Sequence, residues 1–230
     1  MVILEVFTLI ITGIIFLKMG GLVIINNKLN LASISQTENS DLLTSQYLDR
    51  TSLFEILPEK SDSIIFLGDS ITERSNWNEL FGNEKIINRG IGSDTTFGVL
   101  HRLQEIIDTK PKSIFLMIGV NDIGKNRNLI ESISNYEKIL LTIKKDSPDT
   151  IIYIQSVLPV NESLSNRKNS DIIAFNTKLK MLSQKYDFQY VDLYQLLSIN
   201  NSLLPDVSED GVHLNGKGYA IWRDSIKGYI

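Results

Sequence analysis

Ile64-Ile65-Phe66-Leu67-Gly68-Asp69-Ser70-Ile71-Thr72 is the stretch on which the fold turns. Four apolar residues run without interruption into a glycine, an aspartate and a serine. A short apolar run closed by turn residues suits a strand buried on both faces, as in a parallel sheet. Ligands of such sheets gather at the carboxyl ends of the strands. Ser70 thus stands where a nucleophile would be useful, although a serine there also serves as a helix cap or turn former. Its meaning depends on the rest of the chain.

Outward from this stretch, strands and helices alternate. Apolar runs at 63–68, 85–88, 113–118, 151–156 and 189–192 predict five strands. Between them the apolar residues take helical spacing. Val99, Leu100, Leu103, Ile106 and Ile107 share one face, as do Ile133, Tyr136, Ile139, Leu140 and Ile143. Ile172, Ile173, Phe175, Asn176, Leu179 and Leu182 continue the pattern, and a last helix runs from about residue 215 to 229 through Tyr219, Ala220, Trp222 and Ile226. This alternation predicts an α/β fold, a mainly parallel sheet of about five strands with helices on both faces.

The 230 residues suffice for one sizeable domain, and 43% hydrophobic with 22% charged residues can fill its core. A formal net charge of -4, with no basic patch, argues against a nucleic-acid partner. There is no cysteine, hence no disulfide or thiol nucleophile, and two histidines, His101 and His213, poorly supply a zinc site. His101 falls inside a helical pattern and reads as structural.

Residues 6–25 are strongly apolar and match the roughly 20 residues that span a bilayer core. Lys18 within them costs roughly 2.5–3.5 kcal/mol if held centrally, less if it snorkels. A single membrane anchor is the favoured reading. A cleaved signal peptide competes, against an acidic Glu5 and no clear cleavage site; a core or interfacial helix is the third reading. The expected organisation is an anchor or signal segment at 1–27, a polar linker at 28–48 and a catalytic domain at 49–230, the protein being membrane-anchored or exported. Leu48, Leu53, Phe54 and Ile56 suggest a short helix packed on the domain and ended before Pro58.

Four polar clusters fall just after strands or near the C-terminus: Gly68-Asp69-Ser70, Asn88-Arg89-Gly90-Ile91-Gly92-Ser93-Asp94-Thr95-Thr96, Gly119-Val120-Asn121-Asp122 and Asp210-Gly211-Val212-His213. A parallel sheet brings the first three to one edge. Acyl transfer from an ester needs such parts. A serine hydroxyl needs a base, and histidine titrates in the useful range. The base needs a carboxylate to fix its tautomer, and Asp210 precedes His213 by one short loop. The tetrahedral oxyanion needs donors, each typically worth roughly 3–4 kcal/mol. Candidates are the backbone N–H of Ser70, a backbone N–H from the Gly92–Ser93 turn and the Asn121 side chain. Singly, each cluster has an ordinary reading as a cap or turn; their joint occurrence in this order favours the chemical one.

These four blocks resemble the signature blocks of the SGNH (GDSL-type) hydrolases over roughly residues 60–230. The form of the second block is most similar to the branch with platelet-activating-factor acetylhydrolase subunits and lysophospholipase-like esterases. The resemblance implies a flavodoxin-like three-layer fold, with no metal or cofactor. It implies Ser70 as nucleophile, His213 as base, Asp210 as its orienter and Asn121 as oxyanion donor. In that family a glycine usually stands immediately before the aspartate of the second block. Here Ser93 stands there and Gly92 is one residue earlier, so Ser93 N–H is the expected donor and Gly92 N–H the fallback.

A dinucleotide site is disfavoured because Thr95 replaces the third glycine of the fingerprint and the turn follows the second strand. The remaining readings are a serine esterase for short acyl groups such as acetyl, a lysophospholipase, and a catalytically silent tethered binding module. The polar segment 158–169, with Pro159, Asn161, Glu162, Asn166, Arg167 and Lys168, suits a carbohydrate, cell-envelope polymer or lysolipid head group as substrate. Oligomeric state is open.

Overall fold

The computed structural model describes residues 42, 44–58 and 62–230. The apolar stretch at 6–25, and with it the expected N-terminal hydrophobic helix, lies outside the described residues. Among the described residues, no helix is long and apolar enough to cross a membrane.

Five strands form one sheet: β1 (Ile64–Gly68), β2 (Ile86–Gly90), β3 (Ser113–Met117), β4 (Ile151–Gln155) and β5 (Gln189–Val191). Their order is β2-β1-β3-β4-β5 and every pairing is parallel. This order is that of the flavodoxin-like doubly wound sheet, whose ligands bind where it switches direction, at β1 and β3. Every residue of β1 and β3 is buried, which explains their uninterrupted apolar runs. Strand β2 continues past the expected 85–88 to Gly90, with Arg89 opposite Leu67 and Gly90 opposite Gly68. Asn88 and Arg89 concealed it, because their polarity is satisfied within the protein, Asn88 by backbone groups and Arg89 by Glu105.

Successive side chains of a strand point to opposite faces. On one face Phe66, Phe115 and Tyr153 stand in direct register on β1, β3 and β4 and stack at centroid distances of 5.0 and 4.5 Å. Trp77, from a short helix at Trp77–Phe81, stacks on Phe66 at 4.0 Å, and Trp222 meets Trp77 edge-on at 4.7 Å. Ile65, Leu67, Ile114 and Leu116 fill the other face and are fully buried.

The helix before the sheet, α1 (Ser45–Ile56), starts earlier than the expected domain boundary at residue 49. It packs through Tyr47 and Phe54, whereas Leu48, Leu53 and Ile56 are exposed, so the expected apolar face is only partly the real one. Ser70 opens the one-turn helix α2 (Ser70–Glu73). The continuous apolar face at 99–107 belongs to two helices, α3 (Thr96–His101) and α4 (Leu103–Asp108), broken at Arg102. His101 is exposed. Beyond β3 come α5 (Val120–Gly124) and α6 (Leu129–Asp146), then α7 (Asn169–Tyr186) after β4 and α8 (Gly216–Ile226) at the end.

Candidate active site

Strand β1 ends at Gly68, and Asp69 caps α2 by accepting from Ile71 N–H at 2.9 Å. This turn sets Ser70 partly open at the carboxyl edge of the sheet. The Ser70 Oγ lies 2.8 Å from His213 Nε2, across a sequence separation of 143 residues. His213 Nδ1 in turn lies 2.6 Å from Asp210 Oδ2.

The loop that carries base and carboxylate is built for this contact. Gly211 has φ +78, and a Cβ there would come within 2.9 Å of Leu164 and 3.0 Å of Asn161, so a side chain is doubly unwelcome. The Asp210 Oδ1 accepts the backbone N–H groups of Val212 and His213 at 3.0 and 2.8 Å, while Oδ2 meets the imidazole and lies 3.6 Å from the Arg74 guanidinium. Partial desolvation pushes the Asp210 carboxyl up, but hydrogen bonds from His213 and Val212 outweigh it and hold the group below the usual carboxylate range. The neighbouring acids face elsewhere: Asp206 pairs with Lys217 and Glu209 accepts from Asn215.

The second and third blocks interlock. Asp94 N–H bonds back to Ile91 O at 3.2 Å, which makes Gly92 and Ser93 the central residues of a turn. Ser93, at the third position, has φ 63. That position of a type II turn needs a positive φ and therefore favours glycine, the residue usual there in the SGNH family. Asn121 Nδ2 donates to Asp94 O at 2.9 Å, and Lys125 Nζ donates to Ser93 O at 3.2 Å. Asp122 accepts Thr96 N–H at 3.0 Å and the Thr96 hydroxyl at 2.6 Å. The Gly92 position is covered by Gln46 of α1, whose amide nitrogen would lie 2.2 Å from a Cβ there. Thus Ser70, His213 and Asp210 form one hydrogen-bonded chain, while Asn121 and the Ser93 turn are joined beside it.

Several residues shape the site in ways the sequence did not indicate, although Asn88 and Gly90 lie in the second block and Arg167 in the polar segment 158–169. Asn88 Nδ2 lies 2.9–3.1 Å from the carbonyl oxygens of Thr72, Glu73 and Ser75, gathering the end of α2, and its Oδ1 accepts Gly90 N–H. Gly90 is required because a Cβ would stand 2.3 Å from the Glu73 backbone nitrogen. Arg102 pairs with Asp94 at 2.9 Å and donates to the carbonyls of Gly68 and Arg89, clamping the ends of β1 and β2. Its position offered a signal: three residues after Val99 and four before Ile106, an arginine falls among core positions. The polar segment 158–169 predicts Arg167 among the substrate-facing residues, yet it turns inward to Val120 O and Asn121 Oδ1, both at 3.0 Å. Burial pushes the Asp69 carboxyl up to about 7 and the Asp94 carboxyl up to about 6, the latter in spite of Arg102. Among the described residues no group of three or more His, Cys, Asp or Glu is arranged to hold a metal ion.

A flavodoxin-like sheet with a serine, an imidazole and a carboxylate in line at its switch point is the architecture of an SGNH hydrolase. The chain belongs to the GDSL-like lipase/acylhydrolase family, whose model matches residues 66–221. It is an ester hydrolase. Platelet-activating factor acetylhydrolase IB subunit alpha2 of Rattus norvegicus is 31% identical over 179 residues, covering 70% of this chain and 73% of its own. A solved Streptococcus pneumonia structure, assigned as a platelet activating factor, is 32% identical with a TM-score of 0.72, covering 86% of this chain and 98% of its own. A catalytic mutant of an acetylxylan esterase from Geobacillus stearothermophilus, 19% identical, matches with a TM-score of 0.60 over 74% of this chain and 94% of its own, a likeness of fold alone.

Proposed function

We propose that this chain is a serine esterase that removes short acyl groups, such as acetyl, through an acyl-enzyme on Ser70. The observation that carries the reading is the pair of short contacts from Ser70 Oγ to His213 and from His213 to Asp210, at 2.8 and 2.6 Å. Ser70 Oγ attacks the ester carbonyl carbon while His213 Nε2 takes its proton. The oxyanion so formed is held by the N–H groups of Ser70 and Ser93 and by the free N–H of the Asn121 amide. Collapse breaks the ester C–O bond, and His213 returns the proton to the departing alcohol. Water then attacks the acyl group with His213 as base, releasing the acid and restoring Ser70. Asp210 keeps the imidazole in the tautomer that accepts at Nε2, and its lowered carboxyl stays ionised throughout.

The short-acyl preference is supported by the rat relative, named for removing an acetyl group. The half-buried Asn161 and the exposed Glu162 and Lys168 near the Gly211 loop suit a carbohydrate or head group on the alcohol side. The apolar residues 6–25 supply a membrane anchor or export segment for this activity.

The test is hydrolysis of p-nitrophenyl acetate, butyrate, octanoate and palmitate by the full chain beside Ser70→Ala. Turnover of the short esters, lost in the mutant while its circular dichroism is unchanged, is expected. Unimpaired turnover by Ser70→Ala would overturn the serine mechanism, and a preference for palmitate would favour a lysophospholipase.

A further inference from the structure

The geometry points to Arg167 as a positioning residue for the oxyanion donor Asn121, an inference that rests on the esterase reading above. Arg167 lies in the loop between β4 and α7, far in sequence from the third block. Its Nε donates to Val120 O and its Nη2 donates to Asn121 Oδ1, each at 3.0 Å, so one guanidinium grips both the backbone and the side chain of the turn.

The consequence for Asn121 is a fixed amide orientation. An asparagine amide has a donor end and an acceptor end of nearly the same shape, and its partners alone decide which points where. A guanidinium has donors and no acceptor, so the Asn121 oxygen must face Arg167. The nitrogen end must then face Asp94 O, 2.9 Å away, with one N–H spent there and the second left over. Asp94 O is an acceptor only, which enforces the same orientation from the other side. Asn121 is buried, so a flipped amide would set oxygen against carbonyl oxygen with no water to relieve it. Flipping would also present an oxygen where the esterase needs a donor. The positive charge at Oδ1 further polarises the amide toward stronger donation at its nitrogen.

Arg167 is held for this task. Its Nη1 lies 3.4 Å from Ser165 Oγ, and Asn166 beside it donates to Gly124 O at 3.2 Å, so the loop is tied to α5 at neighbouring residues. A Cβ on Gly124 would come within 2.9 Å of the Arg167 Nε, so the absence of a side chain there lets the guanidinium lie flat on α5. At its other end the same loop bonds the base-bearing segment, through Asn161 N–H to Gly211 O at 2.8 Å. One loop therefore spans the oxyanion donor and the loop of the base.

The experiment is a double-mutant cycle in the full chain, with p-nitrophenyl acetate as substrate and thermal unfolding as the check on folding. Arg167→Met is expected to lower kcat by about 10- to 100-fold, less than or equal to the loss for Asn121→Ala, with KM within about 2-fold. In the Asn121→Ala background Arg167→Met is expected to add less than about 2-fold, because its effect runs through the amide. Should Arg167→Met fail to fold, Arg167→Lys carries the same cycle, with a smaller loss since one ammonium replaces a two-pronged donor. Multiplicative losses in the double mutant, or a raised KM at unchanged kcat, would overturn the inference; the second would make Arg167 a substrate contact. Activity surviving in Ser70→Ala would instead strike at the esterase reading itself.

Discussion

Ser93 is the residue at which the chain departs from its family and still meets the same geometric demand. With φ 63 it occupies a region that costs an L-residue roughly 1–2 kcal/mol. Ser93→Gly is expected to stabilise the fold by up to about 1 kcal/mol, the relief being partly offset by greater freedom of the unfolded chain. Ser93→Val, β-branched and poorly tolerated at positive φ, is expected to destabilise by at least about 1 kcal/mol and to lower kcat by distorting the turn. Urea midpoints and kcat on p-nitrophenyl acetate check both. At this scale the sequence was informative where chemistry demands rare residues in order, as with Ser70, Asp210 and His213, which the fold brings into one line. It pointed Arg167 outward to substrate and was nearly silent on Arg102, because a polar residue that turns inward reads the same as one facing water until its partners are known.

The elements were more legible than their joints. The five strands of the main sheet were visible, β1 and β3 as fully buried apolar runs and β2 and β5 only as short runs between turn signals, whereas the two-residue strands Ser198–Ile199 and Ser202–Leu203 left no apolar run to read. The break at Arg102 was not, because the apolar period continues through it while the arginine bends inward to Asp94. Helix α1 shows the same limit. Its apparent apolar face contained Leu48, Leu53 and Ile56, but attachment depends on Phe54, buried at 3% exposure, and on Tyr47, whose hydroxyl donates to Gly98 O at 3.0 Å. The guanidinium carbons of Arg50 and Arg89 lie 4.8 and 4.6 Å from the centre of the Phe54 ring. Phe54→Ala is expected to cost about 3–5 kcal/mol through the cavity and the lost cation–π contacts. A fall in the urea midpoint at unchanged m checks it.

For the whole molecule, the buried carboxyls decide how stability follows pH. Burial raises Asp69 to about 7 and Asp94 to about 6 from an ordinary value of 3.8, and raises Asp122 as well. A raised carboxyl binds its proton more tightly when folded than unfolded, so these groups make the fold more stable as pH falls from about 7 toward 3.8. Asp210, the partly buried Glu137 and the exposed Asp62, Asp206 and Glu162 are lowered, and their contribution is lost only as pH falls further. The urea midpoint is therefore expected to be higher at pH 5 than at pH 8, and Asp69→Asn to flatten that slope. An unchanged slope in Asp69→Asn would mean that this carboxyl is not a source of it. The aromatic column across the sheet has an optical consequence too. Trp77 and Trp222 are the chain's two tryptophans, both shielded from water, with ring centres 4.7 Å apart and planes inclined at 73°. Indoles so close couple their transitions and their burial keeps water from the excited state, so a near-ultraviolet dichroic signal and a blue-shifted emission are expected in the folded protein, both lost on unfolding. The molecule thus reports on the integrity of its own core without any added label.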